Sequence, residues 1–110
     1  MSSDVVHVDD SNFETEVLNA DKPVLVELGA EWCGPCQRQI PLVEKFANEN
    51  VGKIKTCKVD IDDCPETVAE LGIRSVPTLV IFNAGTCVGT KVGLTTLAEL
   101  NIFVSSKITT

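Results

Sequence analysis

One segment, Trp32-Cys33-Gly34-Pro35-Cys36, constrains the fold of this chain more than any other. It follows an apolar run from Val24 to Leu28, and it precedes a stretch in which apolar residues recur at helical spacing. This order predicts a strand that ends at a Cys-x-x-Cys turn and leads directly into a helix. Because residues three positions apart share one face of a helix, the two sulfurs can approach to disulfide distance.

The start of that helix favours the thiolate form of Cys33. If the helix begins near Gly34, its unpaired N–H groups and positive dipole end face the Cys33 sulfur. Pro35 fits the first turn, because its missing N–H has no partner within the helix there. The segment therefore predicts a reversible dithiol site.

Composition narrows the class of protein. The 110 residues are 44% hydrophobic and 23% charged, which is typical of one soluble domain spanning residues 1–110. The net charge of −7 argues against nucleic-acid binding, since phosphate recognition needs a basic surface. No apolar run reaches the roughly 20 residues of a membrane span, and the N-terminus does not resemble a signal peptide. Five cysteines cannot all pair within one chain, so we expect a reducing cytoplasm.

The apolar pattern predicts an α/β fold with the order β-α-β-α-β-α-β-β-α. The strands are expected at about 5–8, 24–28, 53–61, 78–82 and 86–92, and the helices at about 12–19, 34–49, 66–71 and 97–106. Capping boxes at Ser11–Glu14 and Thr96–Glu99 mark the first and last helix starts, and Asp62-Asp63 offers caps for the third helix. We expect a central mixed five-stranded sheet flanked by four helices.

Four marks of the chain together resemble the thioredoxin family. They are the motif at 32–36, Pro41 in the following helix, Val76-Pro77-Thr78 before the hairpin, and Lys91-Val92-Gly93 near its end. They occur in the family's order and at its spacing, between about residues 5 and 104. The resemblance implies the thioredoxin fold and a monomeric protein-disulfide reductase. It also implies electrons from thioredoxin reductase, client proteins with disulfides, and no bound cofactor besides the redox-active disulfide.

The resemblance gives the two cysteines separate roles. Cys33 would attack a client disulfide to form a mixed disulfide, and Cys36 would resolve it by attacking Cys33. An alternative is that both cysteines ligate zinc. Zinc needs four ligands as a rule, and the chain has no second Cys-x-x-Cys. The remaining candidate ligands are His7, Cys57, Cys64 and Cys87.

Glu27 interrupts an otherwise apolar strand, where an ionised carboxylate is costly. Thioredoxins carry an aspartate at the matching position, so the resemblance implies that Glu27 is a buried proton acceptor for Cys36. The resemblance also implies that Lys58, on the neighbouring strand, pairs with Glu27. The alternatives are that Glu27 lies on the exposed face of an edge strand and that Lys58 extends into solvent.

The resemblance further implies a client-binding surface around the motif. A cis bond between Val76 and Pro77 would expose the Val76 backbone to an extended client. A trans proline at the start of a strand is the alternative for Pro77, and packing or turn formation is the alternative for Trp32 and Gly93. The implied client-binding residues are Trp32, Gly34, Pro35, Val76, Pro77 and Gly93.

Two positions depart from the family's pattern. Gly29 replaces a large aromatic residue, which is expected to loosen the active-site loop or open a groove beneath it. Gln37 replaces a basic residue and so removes a positive charge beside Cys33. Among the other cysteines, we expect Cys57 to be buried and Cys64, near a helix start, to be the one most open to oxidation.

Two other functions fit parts of the sequence. An oxidase or isomerase of the same fold is disfavoured by the Gly34-Pro35 dipeptide and by the absence of an export signal. A binding subunit that stabilises a larger complex, with incidental redox activity, is the alternative from a different class. An altered surface at Gly29 is the feature that supports it.

Overall fold

A computed structural model describes residues 4–108, which contain five strands and four helices in the predicted order. The strands are β1 Val5–Val8, β2 Val24–Gly29, β3 Lys55–Asp60, β4 Thr78–Asn83 and β5 Thr86–Val92. The helices are a short π-helix at Glu14–Leu18, then α1 Gly34–Glu49, α2 Pro65–Leu71 and α3 Leu97–Lys107. The α/β class and the element order are therefore confirmed.

The strands form one mixed sheet in the spatial order β1-β3-β2-β4-β5. β1 and β2 run parallel to β3, whereas β4 is antiparallel to both β2 and β5. All six residues of β2 are buried, because this strand lies in the middle of the sheet. The edge-strand alternative for Glu27 is therefore wrong.

Alternate residues of β2 face two separate halves of the core. Val26 and its even-numbered neighbours pack with the π-helix side of the molecule, whereas Leu25 packs with residues of α1 and α3 such as Phe46 and Leu100. Since strand side chains alternate between faces, Glu27 shares the α1 face with Leu25. This alternation directs the carboxylate toward the helix that carries Cys36.

Only the last helix starts as its capping box predicts. The Thr96 hydroxyl accepts the Glu99 N–H at 3.1 Å. The first helix has no side-chain cap, and the backbone N–H of Ser11 instead donates to Asp9. The predicted capping box at Ser11–Glu14 is therefore wrong, because Ser11 forms a turn with Asp9 instead.

The start of α2 is capped from a distant part of the chain. The Asp10 carboxylate accepts the N–H groups of Glu66 and Thr67 at 3.1 and 3.0 Å, and the Thr67 hydroxyl at 2.7 Å. The predicted local caps at Asp62-Asp63 are wrong, since Cys64 is the N-cap residue and makes no capping bond. The contact holds the loop after β1 against the α2 N-terminus.

Candidate active site

The two motif cysteines lie at the junction of β2 and α1. Cys33 is the N-cap residue of α1, with extended backbone, and its Sγ accepts the backbone N–H of Cys36 at 3.2 Å. The two sulfurs are joined in a disulfide, with 5.2 Å between the Cα atoms. Gly34 and Pro35 form the first helical turn between them. The predicted dithiol site is present as a disulfide at the helix N-terminus.

A second segment, just before β4, lies against the disulfide. The carbonyl oxygen of Val76 lies 3.9 Å from Cys33 Sγ, and the bond between Val76 and Pro77 is cis, as the resemblance implies. The Pro77 carbonyl accepts the N–H of Gly93 at 2.8 Å. Gly93 has φ of +91°, a conformation that glycine adopts without strain. Val76 thus lies against Cys33, and Gly93 is joined to the same cis-proline segment.

Trp32 forms one wall of an open groove beside the disulfide. Its indole N–H donates to the Asp62 carboxylate at 3.0 Å, while 68% of the residue remains exposed. The groove has a volume of about 280 Å³ and is lined by Trp32, Ile61, Val68, Ile73, Arg74, Ser75 and Val76. The hydrogen bond fixes the ring while leaving apolar surface accessible.

Glu27 and Cys36 share a cavity behind the disulfide. The cavity has a volume of about 170 Å³, and Gly29, Lys58 and His7 also line it. Glu27 is 2% exposed, and within residues 4–108 its Oε2 has no hydrogen-bond partner. Burial raises the pKa of Glu27 to about 7, against the opposing charge of Lys58. The carboxyl group can therefore gain and lose a proton near neutral pH.

Lys58 lies directly opposite Glu27 in the parallel register of β2 and β3. Its charge lowers the pKa of Glu27, although burial outweighs it. In the described part of the chain, ion pairs join Lys55 to Glu16 and Lys91 to Glu99, and none joins Lys58 to Glu27. Lys58 therefore interacts with Glu27 through its charge, without an ion pair between the two side chains.

Gly29 lies directly beneath Cys36. A Cβ atom at this glycine would be 3.3 Å from Cys36 Cβ and 3.4 Å from Cys36 Sγ. The glycine also lines the cavity that Cys36 and Glu27 share. Cys36 therefore packs closely against Gly29, and a side chain at this position would crowd the resolving cysteine, so the glycine permits a close approach here and does not leave the expected groove.

Gln37 occupies the position of the expected basic residue, and Arg38 follows it in the helix. The Gln37 amide donates to the carbonyls of Ala30 and Glu31 at 3.4 and 3.3 Å, which ties the start of α1 to the turn before it. The Arg38 guanidinium lies beside Gly34, 3.7 Å from the position of a Cβ there. The nearest positive charge shown at the motif is therefore that of Arg38, beside Gly34.

The remaining cysteines differ in accessibility. Cys57 is buried, as predicted, and burial raises its pKa to about 11. Cys64 is also buried; burial, followed by the charge of Asp10, raises its pKa to about 11, and its thiol donates to the Val8 carbonyl at 3.4 Å. The expectation that Cys64 is the most open to oxidation is wrong, whereas Cys87 is exposed.

Residues 4–108 lack two features that mark other classes of protein. They hold no group of three or more His, Cys, Asp or Glu side chains arranged to bind a metal ion. No helix in this part of the chain is long and apolar enough to cross a membrane.

Sequence reasoning missed a buried polar side chain near the disulfide. Gln39 is 2% exposed and follows Cys36 by three residues on the inner face of α1. Its Oε1 accepts the backbone N–H of Thr95 at 3.0 Å. Gln39 lies between Cys36 and Val43 in a row of buried helix positions, and a glutamine in such a row is the sequence feature that could have pointed to it.

Comparisons with known proteins agree with this geometry. The family model described as Thioredoxin matches residues 4–106. A thioredoxin of Acidithiobacillus ferridurans is 43% identical over 108 residues, which cover 98% of this chain and 100% of that protein. A thioredoxin of Pseudomonas aeruginosa has the same identity and coverage. A thioredoxin of Rickettsia prowazekii is 47% identical over 90 residues, which are 82% of this chain and 86% of that protein.

Proposed function

The chain belongs to the thioredoxin family and is a thiol-disulfide oxidoreductase, and from this premise we propose that it reduces disulfides of client proteins with electrons from thioredoxin reductase. It acts as a single-domain monomer in the cytoplasm and needs no bound cofactor besides its own disulfide. The observation that carries the proposal is the position of the Cys33–Cys36 disulfide, at a helix N-terminus and beside the Val76 carbonyl.

The first step is the attack of the Cys33 thiolate on a client disulfide. A bond forms between Cys33 Sγ and one client sulfur, and the other client sulfur leaves as a thiolate. The Cys36 N–H, 3.2 Å from Cys33 Sγ, and the helix dipole stabilise negative charge on the attacking sulfur. Cys33 is therefore the nucleophile.

The client lies extended across the surface next to Cys33. The backbone of Val76, held by the cis bond to Pro77, pairs with the client backbone in the manner of an added strand. The exposed ring of Trp32 contacts client side chains. Gly34, Pro35 and Gly93 present little side-chain bulk, so the client backbone can approach the disulfide closely.

The second step releases the reduced client. Cys36 gives its proton to Glu27 through the cavity that both line, which is large enough to hold water. The Cys36 thiolate then attacks Cys33 Sγ, the Cys33–Cys36 bond forms, and the client sulfur leaves as a thiolate. The two electrons of the dithiol have passed to the client, and the reductase restores the dithiol.

The binding-subunit alternative receives no support from a specific observation. It depends on an altered surface at Gly29, but Gly29 is buried and packs against Cys36.

Insulin reduction tests the proposal. We expect the protein to accelerate precipitation of insulin chains in dithiothreitol, and to do so with NADPH and a bacterial thioredoxin reductase. Cys33→Ser should abolish this activity. Cys87→Ser is the matched control, because it replaces an exposed thiol outside the site. A wild-type protein that is inactive in both assays contradicts the proposed function.

A further inference from the structure

Gln39 is a polar residue in an apolar row. The buried residues of α1 are Cys36, Gln39, Val43, Phe46 and Ala47. Their spacing places all five on the face that α1 turns toward the sheet. A buried amide is costly unless its hydrogen bonds are made, so an aliphatic residue is the ordinary choice at this position.

The Gln39 amide uses its oxygen in a hydrogen bond but not its nitrogen. Oε1 accepts the Thr95 N–H at 3.0 Å, while Nε2 has no partner among the residues that the structure describes. A buried donor without a partner lowers stability. The side chain is therefore poorly explained by packing, and its bond to Thr95 is the feature that distinguishes it from a methionine or a leucine.

That bond holds one end of the segment from Gly93 to Thr95. The other end is held by the Gly93 N–H, which donates to the Pro77 carbonyl at 2.8 Å. Between the two bonds lies Leu94, a large apolar residue that is 50% exposed. Two hydrogen bonds, one to α1 and one to the cis-proline segment, thus fix the backbone on both sides of an exposed leucine.

We propose that Gln39 is a positioning residue that sets the client specificity of this protein by fixing Leu94 for contact with client side chains. This inference rests on the proposed reductase function. A segment whose backbone is already fixed loses less conformational entropy when a client binds than a freely moving one does. Gln39 therefore acts on client affinity through the Thr95 backbone, without touching the reacting sulfurs.

The test compares two substrates of the same protein. Gln39→Met removes the hydrogen-bond acceptor and keeps a side chain of similar volume. Dithiothreitol serves as the reductant for insulin, so that binding to thioredoxin reductase does not affect the measured rate. With insulin, we expect KM to rise about threefold to tenfold, the range for loss of one hydrogen bond, and kcat to stay unchanged. With dithiobis(nitrobenzoate), a disulfide far smaller than a client protein, added to the pre-reduced protein after dithiothreitol has been removed, the rate should equal that of the wild type.

Coupling to Leu94 separates positioning from general damage. In a Leu94→Ala background, Gln39→Met should have no further effect on the insulin KM, because the residue on which it acts is gone. Ile102→Ala is the matched control for Leu94→Ala, since Ile102 is an exposed apolar residue of α3 outside the site. It should leave KM unchanged.

Three outcomes would overturn the inference. An insulin KM equal to that of the wild type in Gln39→Met is the first. Equal losses with insulin and with the small disulfide indicate damage to the active-site helix instead. Additive effects of Gln39→Met and Leu94→Ala remove the link to Leu94. Wild-type inactivity on insulin contradicts the proposed function itself, so the two failures are distinguishable.

Discussion

Glu27 and Lys58 lie opposite each other on neighbouring parallel strands, and both line the cavity that reaches Cys36. Burial raises the pKa of Glu27 to about 7, and the lysine charge opposes this effect. The pair therefore places a group that titrates near neutral pH behind the resolving cysteine. The titration of Glu27 should affect both the stability of the protein and the rate of client release, and each can be measured separately.

Glu27→Gln should alter how stability depends on pH. The pKa of Glu27 rises from 4.5 to about 7 on folding, so the folded state holds this proton more tightly than the unfolded state. Wild-type stability therefore falls between about pH 4.5 and 7, by about 3 kcal/mol in all. The glutamine variant lacks this loss, so its free energy of unfolding relative to the wild type should increase as the pH rises to 8. Urea unfolding of the oxidised proteins measures it, with Glu70→Gln, an exposed carboxylate of α2, as control.

Glu27→Gln should also slow the release of the reduced client. A glutamine cannot accept the Cys36 proton, so resolution of the mixed disulfide should slow at least about tenfold near neutral pH. Quenched-flow analysis of a mixed disulfide between Cys33 and a thiol peptide gives this rate between pH 6 and 9. A rate equal to that of the wild type across this range would show that Glu27 is not the proton acceptor.

Lys58→Met should move the pH dependence of the same step upward. The lysine charge lowers the pKa of Glu27, so its removal raises that pKa further. Less Glu27 is then ionised at pH 7, and the resolving rate should fall about twofold or more there, with recovery at higher pH. Lys53→Met, at an exposed lysine outside the cavity, is the control. An unmoved midpoint would show that Lys58 does not act on Glu27.

Asp10→Ala should destabilise the protein although Asp10 lies far from α2 in sequence. Its carboxylate caps two N–H groups at the α2 N-terminus, and these bonds lower its pKa although burial opposes them. The melting temperature should fall by a few degrees at pH 7. The difference should shrink as the pH drops below about 4, because the Asp10 carboxylate of the unfolded chain takes up its proton at a higher pH than that of the folded protein. Asp63→Ala is the matched control, and an equal loss in that variant would refute the assignment.

The cap at Asp10 shows where sequence reasoning ends. Asp62-Asp63 lies just before α2 and is the natural local prediction, yet the carboxylate that caps the helix is that of Asp10, in the loop after β1. Capping at Thr96 was predictable because donor and acceptor are three residues apart. A contact between segments more than 50 residues apart depends on packing that no local pattern encodes.

The active site divides in the same way. The disulfide between Cys33 and Cys36 and the burial of Glu27 follow from helix spacing and from an apolar strand. The bond from Thr95 to Gln39 and the burial of Cys64 do not, because each needs the position of another segment. Cys64 lies near a helix start, a local feature that favours reactivity, but tertiary burial outweighs it.

That contrast gives a prediction for the free cysteines. With the pKa of Cys57 and Cys64 raised to about 11 by burial, only about one in a thousand of these thiols is ionised at pH 8. In the native reduced protein, iodoacetamide or mild peroxide should modify Cys33 and the exposed Cys87 and leave Cys57 and Cys64 intact. Mass spectrometry of peptides measures this, and denaturation in urea is the control that should expose all five. Modification of Cys64 in the native protein at the rate of Cys87 would contradict its burial.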